Sequence, residues 1–435
     1  MNPRKLVKKA IPKEAFKKVE PYGHLVEAIA LQTLAKRPAK HMKIIGVTGT
    51  NGKTTTTLMI HKMLTEAGYK TGFMSTVAWG VGNDVKQQMH HMTNVAVPEM
   101  IQRLKYMQQQ GVEWLVLETT SHALAQHRTW GVPYSIAVLT NLTHEHLAYH
   151  GTFEKYRDAK RKMFKMANAN KQGLRLGIIN ADDPNADWFA RDIDNLMLYG
   201  MEHGDIRATD VQLSPKGASY TATINGQDYH IATKLPGSFN VYNSLAAACV
   251  GVAVGLTPKQ VQRGIAALES VEGRMTRIEA GQPFDVIVDY AHSPDSFEKL
   301  FKDLKPTVKG KLIVMFGSLG GGDKAKRPLQ GELAGKYADL VILTEEDDRD
   351  EPWEQILEDI AVGVRRAGSK EPVKIHSRRE AMQYAVDHAK AGDTVLFLGK
   401  GHEKTQEHGG VEEPWDESGA ALEAITHATY QEHTK

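Results

Sequence analysis

The stretch Gly46-Val-Thr-Gly-Thr-Asn-Gly-Lys-Thr-Thr-Thr56 decides the fold. It follows the apolar pair Ile44-Ile45 and opens a segment, Thr54–Ala67, with apolar residues at helical spacing and Gly68 just beyond. A strand, a glycine-rich turn and a helix in succession form a phosphate cradle, because backbone N–H groups and the helix N-terminus face the anion. We therefore predict a phosphate-binding loop. A glycine-rich turn without a ligand is the alternative.

The loop also carries side chains suited to a nucleotide. Lys53 is expected to reach the terminal phosphates, and the Thr54 hydroxyl to help hold Mg2+. The spacing departs from the general pattern, because the position five before Gly52 is Val47 rather than glycine. The expected nucleotide contacts are Gly49, Thr50, Asn51, Gly52, Lys53, Thr54 and Thr55.

Length and composition favour a globular protein of two or three domains. The chain has 435 residues, of which 41% are hydrophobic and 24% charged. The single cysteine, Cys249, excludes an internal disulfide and is expected to be a small buried residue. We find neither an apolar run of membrane-spanning length nor a signal peptide, so we expect a cytoplasmic protein.

Charge is unevenly distributed along the chain. The net charge is +2, but residues 1–40 hold ten Lys and Arg against three Asp and Glu. The rest of the chain is therefore slightly acidic, which argues against a nucleic-acid-binding surface. The basic segment 1–20 either lies weakly on an anionic membrane or near a lipid-linked substrate, or is a solvated helical face. The solvated face is the simpler interpretation.

Hydrophobic periodicity divides the chain into three parts. Residues 1–40 read as one or two short basic helices, with a break at Tyr22-Gly23 and a stop at Arg37-Pro38. Residues 41–272 alternate strand and helix, with a period of two between 206 and 235. The predicted strands of this part are 114–117, 136–139 and 176–179, with a hairpin turn at Asn225-Gly226 and helices in 240–268.

Residues 273–435 return to strand–helix alternation. The predicted strands are 285–288, 312–316, 340–343 and 395–398. We therefore predict an α/β protein: a central P-loop ATPase domain (41–272) with a mostly parallel sheet, followed by a Rossmann-like α/β domain (273–435).

Two polar stretches follow predicted strands. Glu118-Thr-Thr-Ser-His122 places a carboxylate at a strand end, where Glu118 is a natural Mg2+ ligand; a helix N-cap cluster is the alternative. Thr140–Gly151 contains three histidines and a glutamate in seven residues. A zinc site is one interpretation of that stretch, although no cysteine accompanies it, and a phosphate site is another.

Nine ordered motifs together make the chain resemble the Mur ligase family. They are the phosphate loop, Glu118–His122, Thr140–Gly151, Asn180–Pro184, Gly237–Asn243 with Gly273–Met275, Asp289–Asp295, Lys326–Pro328 and Gly399–Glu403. Members of this family are ATP-dependent amide-forming enzymes of bacterial cell-wall peptide synthesis. The resemblance covers nearly all of 41–435 and is greatest to the branch that adds the third amino acid.

The resemblance implies a reaction and its cofactors. A diamino acid, meso-diaminopimelate rather than L-lysine, is joined to UDP-N-acetylmuramoyl-L-Ala-D-Glu through an acyl phosphate made with ATP. Two Mg2+ ions are implied, with Thr54, Glu118, His146 and a carbamylated Lys160 as ligands and Lys53 as a further catalytic residue. A related ligase of another carboxylate, of polyglutamate, cyanophycin or lipid-linked type, and a non-catalytic nucleotide-binding subunit are the alternatives. The expected partners are small molecules, and the expected state is a monomer or homodimer.

It also implies further contacts and domain closure over ATP. Nucleotide contacts are implied for Asn240, Arg274, Asp289 and His292. Substrate contacts are implied for Thr93, Thr120, Ser121, His122, Arg128, Asp347, Asp348, Arg349, Gly399 and Glu403. Arg349 can pair with a carboxylate, and the acids near it favour an amino group.

The chain departs from the family pattern in three places. In the family, a full UDP-binding domain precedes the phosphate loop. In this sequence, only residues 1–40 precede that part of the chain. The nucleotide-sugar is therefore expected to be held differently, by a partner chain, or to be replaced by another carrier. The family's Asp-His pair is Glu145-His146 here, followed by Ala148 where Asp is usual. The glycine-rich stretch Gly317–Asp323 has no assigned role beyond phosphate or substrate contact.

Overall fold

The phosphate-loop segment forms the predicted strand, turn and helix. Strand β1 comprises Lys43–Thr48 and helix α2 comprises Lys53–Glu66. Four successive threonines, Thr54–Thr57, begin this helix although β-branched residues are weak helix formers. All four are buried, so tertiary packing rather than local propensity stabilises this turn.

The computed structural model describes residues 13–88, 93–214, 216–368 and 371–432. The chain divides into two compact units. One comprises the described residues up to 211 with 219–232 and 241–268, and the other comprises 212–218, 233–240 and 269 onward. The predicted domain limits, 1–40, 41–272 and 273–435, stay predictions.

Strands and helices alternate up to residue 268, as predicted. The strands are β1 Lys43–Thr48, β2 Thr71–Met74, β3 Ala78–Val81, β4 Asp84–Gln87, β5 Trp114–Glu118, β6 Tyr134–Leu139, β7 Leu176–Asn180, β8 Asn195–Gly200, β9 Ile206–Ser214, β10 Gly217–Ile224 and β11 Gln227–Thr233. The helices are α1 Lys13–Leu34, α2 Lys53–Glu66, α3 Val97–Gln109, α4 Ser121–Ala125, α5 Leu147–His150, α6 Phe153–Ala169, α7 Ala186–Ala190, α8 Ser238–Ala253 and α9 Pro258–Ala266.

The strands of this part form one sheet in the order β11-β10-β9-β8-β7-β6-β1-β5-β2-β3-β4. β1 is parallel to β5 on one side and to β6 on the other. Every residue of β5, β6 and β7 is buried, which is typical of parallel strands covered on both faces. The carboxyl ends of β1, β5 and β6 therefore meet at one edge, where ligands bind in such sheets.

The predicted hairpin joins β10 to β11. Asn225 and Gly226 both have positive φ angles, 52° and 75°. Two residues of this kind between paired strands match the type I′ turn that Asn-Gly favours.

The second unit contains a smaller α/β sheet. Its elements are β12 Thr276–Arg277, β13 Asp285–Asp289, α10 Pro294–Leu304, β14 Leu312–Phe316, α11 Lys326–Tyr337, β15 Leu340–Leu343, α12 Trp353–Arg366, β16 Val373–Lys374, α13 Arg378–Asp387, β17 Thr394–Leu398, β18 Thr405–His408, β19 Val411–Pro414 and α14 Glu417–Glu432. The sheet order is β12-β13-β17-β14-β15-β16, and only β12 pairs antiparallel among the described strands of this sheet.

Both faces of this second sheet are covered by core. Ile287 packs in a cluster with Phe297 and Phe301, whereas its neighbours Val286 and Val288 pack in a cluster on the other face. The alternation follows from the two-residue period of a strand. The predicted α/β fold class is confirmed.

One prediction for the N-terminal region is wrong. Helix α1 runs without interruption through Tyr22-Gly23, where we expected a break. In a helix interior Gly23 costs about 1 kcal/mol and Pro21 about 3 kcal/mol. The helix is held in place by the packing of Ala28 against Val97 and Ile101. The part of the prediction that concerns residues 1–12 lies outside the described residues. Cys249 is buried, as expected.

Among the described helices, none combines the length and apolar character that crossing a bilayer requires.

Candidate active site

The phosphate loop depends on glycine at two positions. A Cβ built on Gly49 would lie 1.9 Å from the Thr140 hydroxyl oxygen. Gly52 has a φ of 80°, and a Cβ there would lie 2.3 Å from Asn243 Oδ1. The loop backbone is therefore in close contact with neighbouring segments, as a cradle for phosphate requires.

Asn141, two residues after the end of β6, holds this loop through hydrogen bonds to its backbone. Its Oδ1 accepts a hydrogen bond from the backbone N–H of Asn51 at 2.9 Å, and its Nδ2 donates to Asn51 O at 3.0 Å. Thr140 Oγ1 donates to the same carbonyl at 2.6 Å. Lys53 Nζ donates to Thr50 O at 2.7 Å, so the lysine lies along the loop.

Glu118, the last residue of β5, is a buried carboxylate beside the loop. Thr54 Oγ1 lies 3.1 Å from both carboxylate oxygens, and Thr76 donates through its hydroxyl at 2.9 Å and its N–H at 2.8 Å. Thr76 Oγ1 also lies 2.8 Å from the Thr93 hydroxyl. The structure thus brings the predicted residues Thr54, Glu118 and Thr93 together through Thr76.

Asn94 connects the other side of Glu118 to predicted substrate residues. Its Nδ2 donates to Glu118 O at 2.7 Å, and its Oδ1 accepts from the N–H and hydroxyl of Thr120, both at 2.9 Å. The buried Arg128 guanidinium donates to the Asn94 carbonyl. Thr120 is also the N-cap of α4, so the N-cap interpretation of this stretch is confirmed beside the proximity to Glu118.

A histidine-rich cluster surrounds Ser121. His150 Nε2 lies 3.0 Å from Ser121 Oγ, and the His122 ring lies 4.7 Å from His146 and 4.2 Å from Tyr149, measured between ring centroids. Burial, with smaller contributions from the neighbouring histidines, lowers the pKa of His122 to about 3 and that of His150 to about 4. Both imidazoles are therefore neutral at pH 7.

His146 has a left-handed backbone, with a φ of 56°, and its Nε2 lies 3.6 Å from Glu145 Oε2. In the part of the chain that the structure describes, no three His, Cys, Asp or Glu side chains form a group that could hold a metal ion. The zinc interpretation of Thr140–Gly151 therefore finds no ligand set there.

Lys160 is buried beneath the loop, not solvated. Its Nζ donates to Gly49 O at 2.6 Å and lies 4.7 Å from the centroid of the Tyr156 ring. Burial, and next the charge of Lys53, lower the pKa of Lys160 well below its ordinary value. The Tyr156 hydroxyl lies 3.0 Å from Thr50 Oγ1, so α6 contacts the loop through two side chains.

In the second unit, the predicted nucleotide residues lie around the end of β13. Asp289 accepts hydrogen bonds from Met275 N at 2.8 Å and Ala291 N at 2.7 Å. Burial raises the pKa of Asp289, and Arg274 acts against that rise.

The Tyr290 ring joins two of these residues. The Arg274 guanidinium lies 4.7 Å from the Tyr290 ring centroid, and the His292 ring lies at the same distance from it. Asn240, the other predicted nucleotide residue, is buried, and its Nδ2 donates to Pro236 O at 2.7 Å.

The acidic loop after β15 is organised by Lys400, which sequence reasoning missed. Its fully buried Nζ lies 2.8 Å from Asp347 Oδ1 and 2.8 Å from Glu403 Oε2. Burial lowers the pKa of Lys400, but the two carboxylates outweigh it, so the pKa is raised overall. Glu346 Oε2 is buried without a hydrogen-bond partner among the described residues, next to Gly399.

The other two predicted residues of this loop are more accessible. Asp348 Oδ2 lies 3.4 Å from His408 Nδ1. Arg349 Nε lies 3.5 Å from Glu407 Oε2, and the Arg349 side chain is 44% exposed. An exposed guanidinium in this position is able to contact a ligand carboxylate.

Comparison with known proteins assigns both units. A family model described as Mur ligase middle domain matches residues 47–251, and one described as Mur ligase, glutamate ligase domain matches residues 273–401. A UDP-N-acetylmuramyl-tripeptide synthetase of Roseiflexus sp. (strain RS-1) is 40% identical over 424 residues, which cover 92% of this chain and 83% of that protein. The chain belongs to the Mur ligase family.

Further relatives are consistent with this assignment. A UDP-N-acetylmuramoyl-L-alanyl-D-glutamate--2,6-diaminopimelate ligase of Geobacillus kaustophilus is 38% identical, covering 92% of this Mur ligase and 82% of the relative. A solved structure with the same enzyme name is 32% identical, has a TM-score of 0.64 and covers 94% of this chain and 83% of its own. Mycobacterium tuberculosis folylpolyglutamate synthase complexed with ADP has a TM-score of 0.71 at 18% identity and shares the fold, covering 89% and 94%.

The residues of this Mur ligase fit Mg2+ in part. Mg2+ prefers one or two carboxylates together with phosphate oxygens and water, and Glu118 beside the Thr54 hydroxyl supplies donors of that kind. A Lys160 ammonium would repel the ion, so this residue fits only as an anionic derivative.

Sequence reasoning missed four residues that organise the site: Thr76, Asn94, Asn141 and Lys400. Asn141 lies in the motif Thr140–Gly151 and Lys400 in the motif Gly399–Glu403. Thr76 lies two residues after the end of β2. Position at a strand end was therefore the available signal for Thr76 and Asn141.

Proposed function

We propose that this Mur ligase joins a diamino acid to UDP-N-acetylmuramoyl-L-Ala-D-Glu with hydrolysis of ATP to ADP and phosphate, through an acyl phosphate. The observation that carries the proposal is the grouping of Lys53, Thr54, Glu118 and the buried Lys160 around one phosphate loop. The names of the relatives, a tripeptide synthetase and diaminopimelate ligases, supply the substrate class.

In the first step, an oxygen of the substrate carboxylate attacks the γ-phosphorus of ATP. The bond from that phosphorus to the bridging oxygen breaks, and ADP leaves. Such transfer needs positioning and charge neutralisation rather than covalent help from the protein. The loop N–H groups and Lys53 hold and neutralise the phosphates, and Asn141 keeps the loop in its conformation.

In the second step, the amine nitrogen attacks the acyl carbon. The carbon–oxygen bond to phosphate breaks, phosphate leaves, and the nitrogen loses a proton. We propose that the substrate carboxylate lies near Thr93, Thr120, Ser121, His122 and Arg128. Because His122 and His150 are neutral, the positive charge available to attract that carboxylate within this set of residues is that of Arg128.

Mg2+ would neutralise negative charge on the phosphate oxygens and so lower the activation barrier for phosphoryl transfer. Glu118, Thr54 and His146 would be its protein ligands. We propose that Lys160 is carbamylated: its neutral amine attacks the carbon of CO2, a C–N bond forms, and a proton is lost. A buried amine with a lowered pKa is suited to this reaction because only the neutral form is nucleophilic.

We further propose that Asn240, Arg274, Asp289 and His292 contact the nucleotide. The Arg274 guanidinium and the carboxylate of Asp289 are suited to phosphate and ribose hydroxyl groups, respectively. These contacts rest on the motif positions and on the clustering of Arg274 and His292 about Tyr290.

For the amino acid, we propose meso-diaminopimelate rather than L-lysine. The exposed Arg349 offers a partner for the second carboxylate that lysine lacks. The carboxylates of Asp347 and Glu403 are both paired with Lys400, and Asp348 lies beside His408, so Glu346 is the stronger candidate for the distal amine and Glu403 is the second one. Burial raises the pKa of Glu403, and a cationic amine nearby would oppose that effect.

The testing experiment is amino-acid-dependent phosphate release from ATP with the UDP-linked dipeptide. meso-Diaminopimelate, L-lysine and L-ornithine would be supplied separately, and the product identified by mass spectrometry. Turnover greatest with meso-diaminopimelate supports the proposal, and turnover greatest with L-lysine overturns the amino-acid assignment. ATP binding without turnover on any of the three overturns the acceptor assignment.

A further inference from the structure

Helix α1 presents an uncharged, apolar face to solvent. The exposed fractions of Tyr22, Val26, Ile29 and Leu34 are 67%, 68%, 40% and 80%. Every exposed residue of this helix from 22 to 34 is uncharged: Tyr22, Gly23, Val26, Ile29, Ala30, Thr33 and Leu34. We call this set the α1 stripe. A helix face that only meets water normally carries charges, so the stripe is typical of a docking surface.

The opposite face of α1 already holds the helix in place. Ala28 and Gln32 are fully buried, and Ala28 packs in a cluster with Val97 and Ile101. The α1 stripe is therefore not needed to attach the helix to its unit. Its apolar side chains at positions 22, 26 and 29 follow the spacing of one helix face.

Basic residues lie in the sequence on both sides of the stripe. Residues 1–20 contain seven Lys and Arg against two Glu. Beyond the stripe, Lys36 and Lys40 are exposed. The only acidic residue from 21 to 40 is Glu27, which lies 3.8 Å from His24. An apolar strip bordered by positive charge is complementary to a surface that is apolar inside and anionic at its boundary.

We propose that the α1 stripe docks on an anionic lipid membrane, with the flanking lysines at the headgroups. A second copy of the chain is the less fitting occupant, because a stable dimer buries about 800 Å² on each partner. The stripe is one helix face only about 18 Å long, which is too small a surface for such an interface. For a membrane, a few inserted apolar side chains together with several basic residues give reversible binding that neither gives alone.

The experiment is flotation of the full chain with lipid vesicles. One set contains phosphatidylcholine alone, and the other contains roughly 30% phosphatidylglycerol as the anionic lipid. We expect flotation with the anionic set only, weakened by salt. The double variant Val26→Ser with Ile29→Ser should reduce the bound fraction by about tenfold, since two inserted side chains are lost. Lys36→Glu with Lys40→Glu should also reduce it.

Matched controls separate docking from unfolding. Leu213→Ser with Val411→Ser removes two exposed apolar residues elsewhere and should leave flotation unchanged. The thermal unfolding of the Val26 and Ile29 variant, and its ATPase activity without vesicles, should equal those of the wild type. Absence of flotation with anionic vesicles overturns the proposal. Equal flotation of the double variant overturns it as well, as does a concentration-dependent dimer that this variant abolishes in sedimentation, which would identify the stripe as a contact between copies.

Discussion

The Thr54 hydroxyl lies 3.1 Å from each carboxylate oxygen of Glu118, so the first turn of α2 and the end of β5 meet at one polar point. The two residues are 64 positions apart in the chain. Their meeting follows from β1 and β5 being parallel neighbours, which brings their carboxyl ends to the same edge. We interpret this point as the metal-binding side of the phosphate cradle.

Glu118→Gln should lower kcat by about 10- to 100-fold, because the amide keeps the shape but loses the charge that a metal ion requires. The apparent affinity for Mg2+ should fall in parallel, which titration of activity against Mg2+ measures. Glu113→Gln, an exposed residue beside the start of the same strand, is the matched control and should have no effect. Unchanged Mg2+ dependence in Glu118→Gln would contradict the metal role.

Lys160→Ala should lower kcat to a similar degree, and short carboxylates should restore part of the activity. Isotopically labelled CO2 should give a carbamate signal in the NMR spectrum of the wild type that the variant lacks. Lys165→Ala on the same helix is the control, since that side chain is 61% exposed. A variant that stays active, or a wild type without a carbamate signal, would remove this assignment.

Gly52→Ala should impair both stability and ATP binding. The substitution combines a positive φ of 80° with a contact of 2.3 Å to Asn243 Oδ1. Gly68→Ala is the control at the other end of the same helix, since Gly68 has a φ of 97° but nothing within 4 Å of the added Cβ. We expect Gly68→Ala to lose about 1–3 kcal/mol of stability and keep ATP affinity. Equal ATP affinity in both variants would show that the contact is unimportant.

His61 should make stability depend on pH. Burial lowers its pKa from 6.5 to about 4. Between these pH values the unfolded chain binds more protons than the folded chain, so the free energy of unfolding falls as the pH falls. The shift corresponds to about 3 kcal/mol. Urea unfolding of His61→Gln should show a flatter pH profile than the wild type, and an identical profile would contradict the assignment.

Glu346→Gln should raise KM for the diamino acid about tenfold or more, because the carboxylate beside Gly399 loses its charge. KM for ATP should not change. Glu354→Gln, at an exposed position on α12, is the control. A rise in KM for ATP instead would place Glu346 outside the amino-acid site.

Local pattern was sufficient for most of the fold. Buried parallel strands read as apolar runs, and the predicted strands 312–316 and 340–343 coincide with β14 and β15. The prediction of a break at Tyr22-Gly23 is wrong because the local glycine pattern carries no information about the packing of Ala28.

The site was less predictable, because the residues whose contacts organise it are far apart in the sequence. Asn141 contacts Asn51 across 90 positions, and a lone asparagine in a loop carries no periodic signal. Lys160 did have a periodic signal in the sequence. It lies on the same face of α6 as the buried residues Tyr156, Met163 and Ala167. A charged residue on that apolar face indicates a buried, functional side chain.

The most direct measurement uses acceptor dipeptide in which both carboxylates of the glutamate carry a heavy oxygen isotope. With ATP, Mg2+ and meso-diaminopimelate, we expect the tripeptide product and, for each product formed, one labelled oxygen in the released phosphate. That transfer requires the carboxylate to become an acyl phosphate before the amine attacks. Unlabelled phosphate with product formed would contradict the acyl-phosphate route, and phosphate release without tripeptide would contradict the ligase assignment itself.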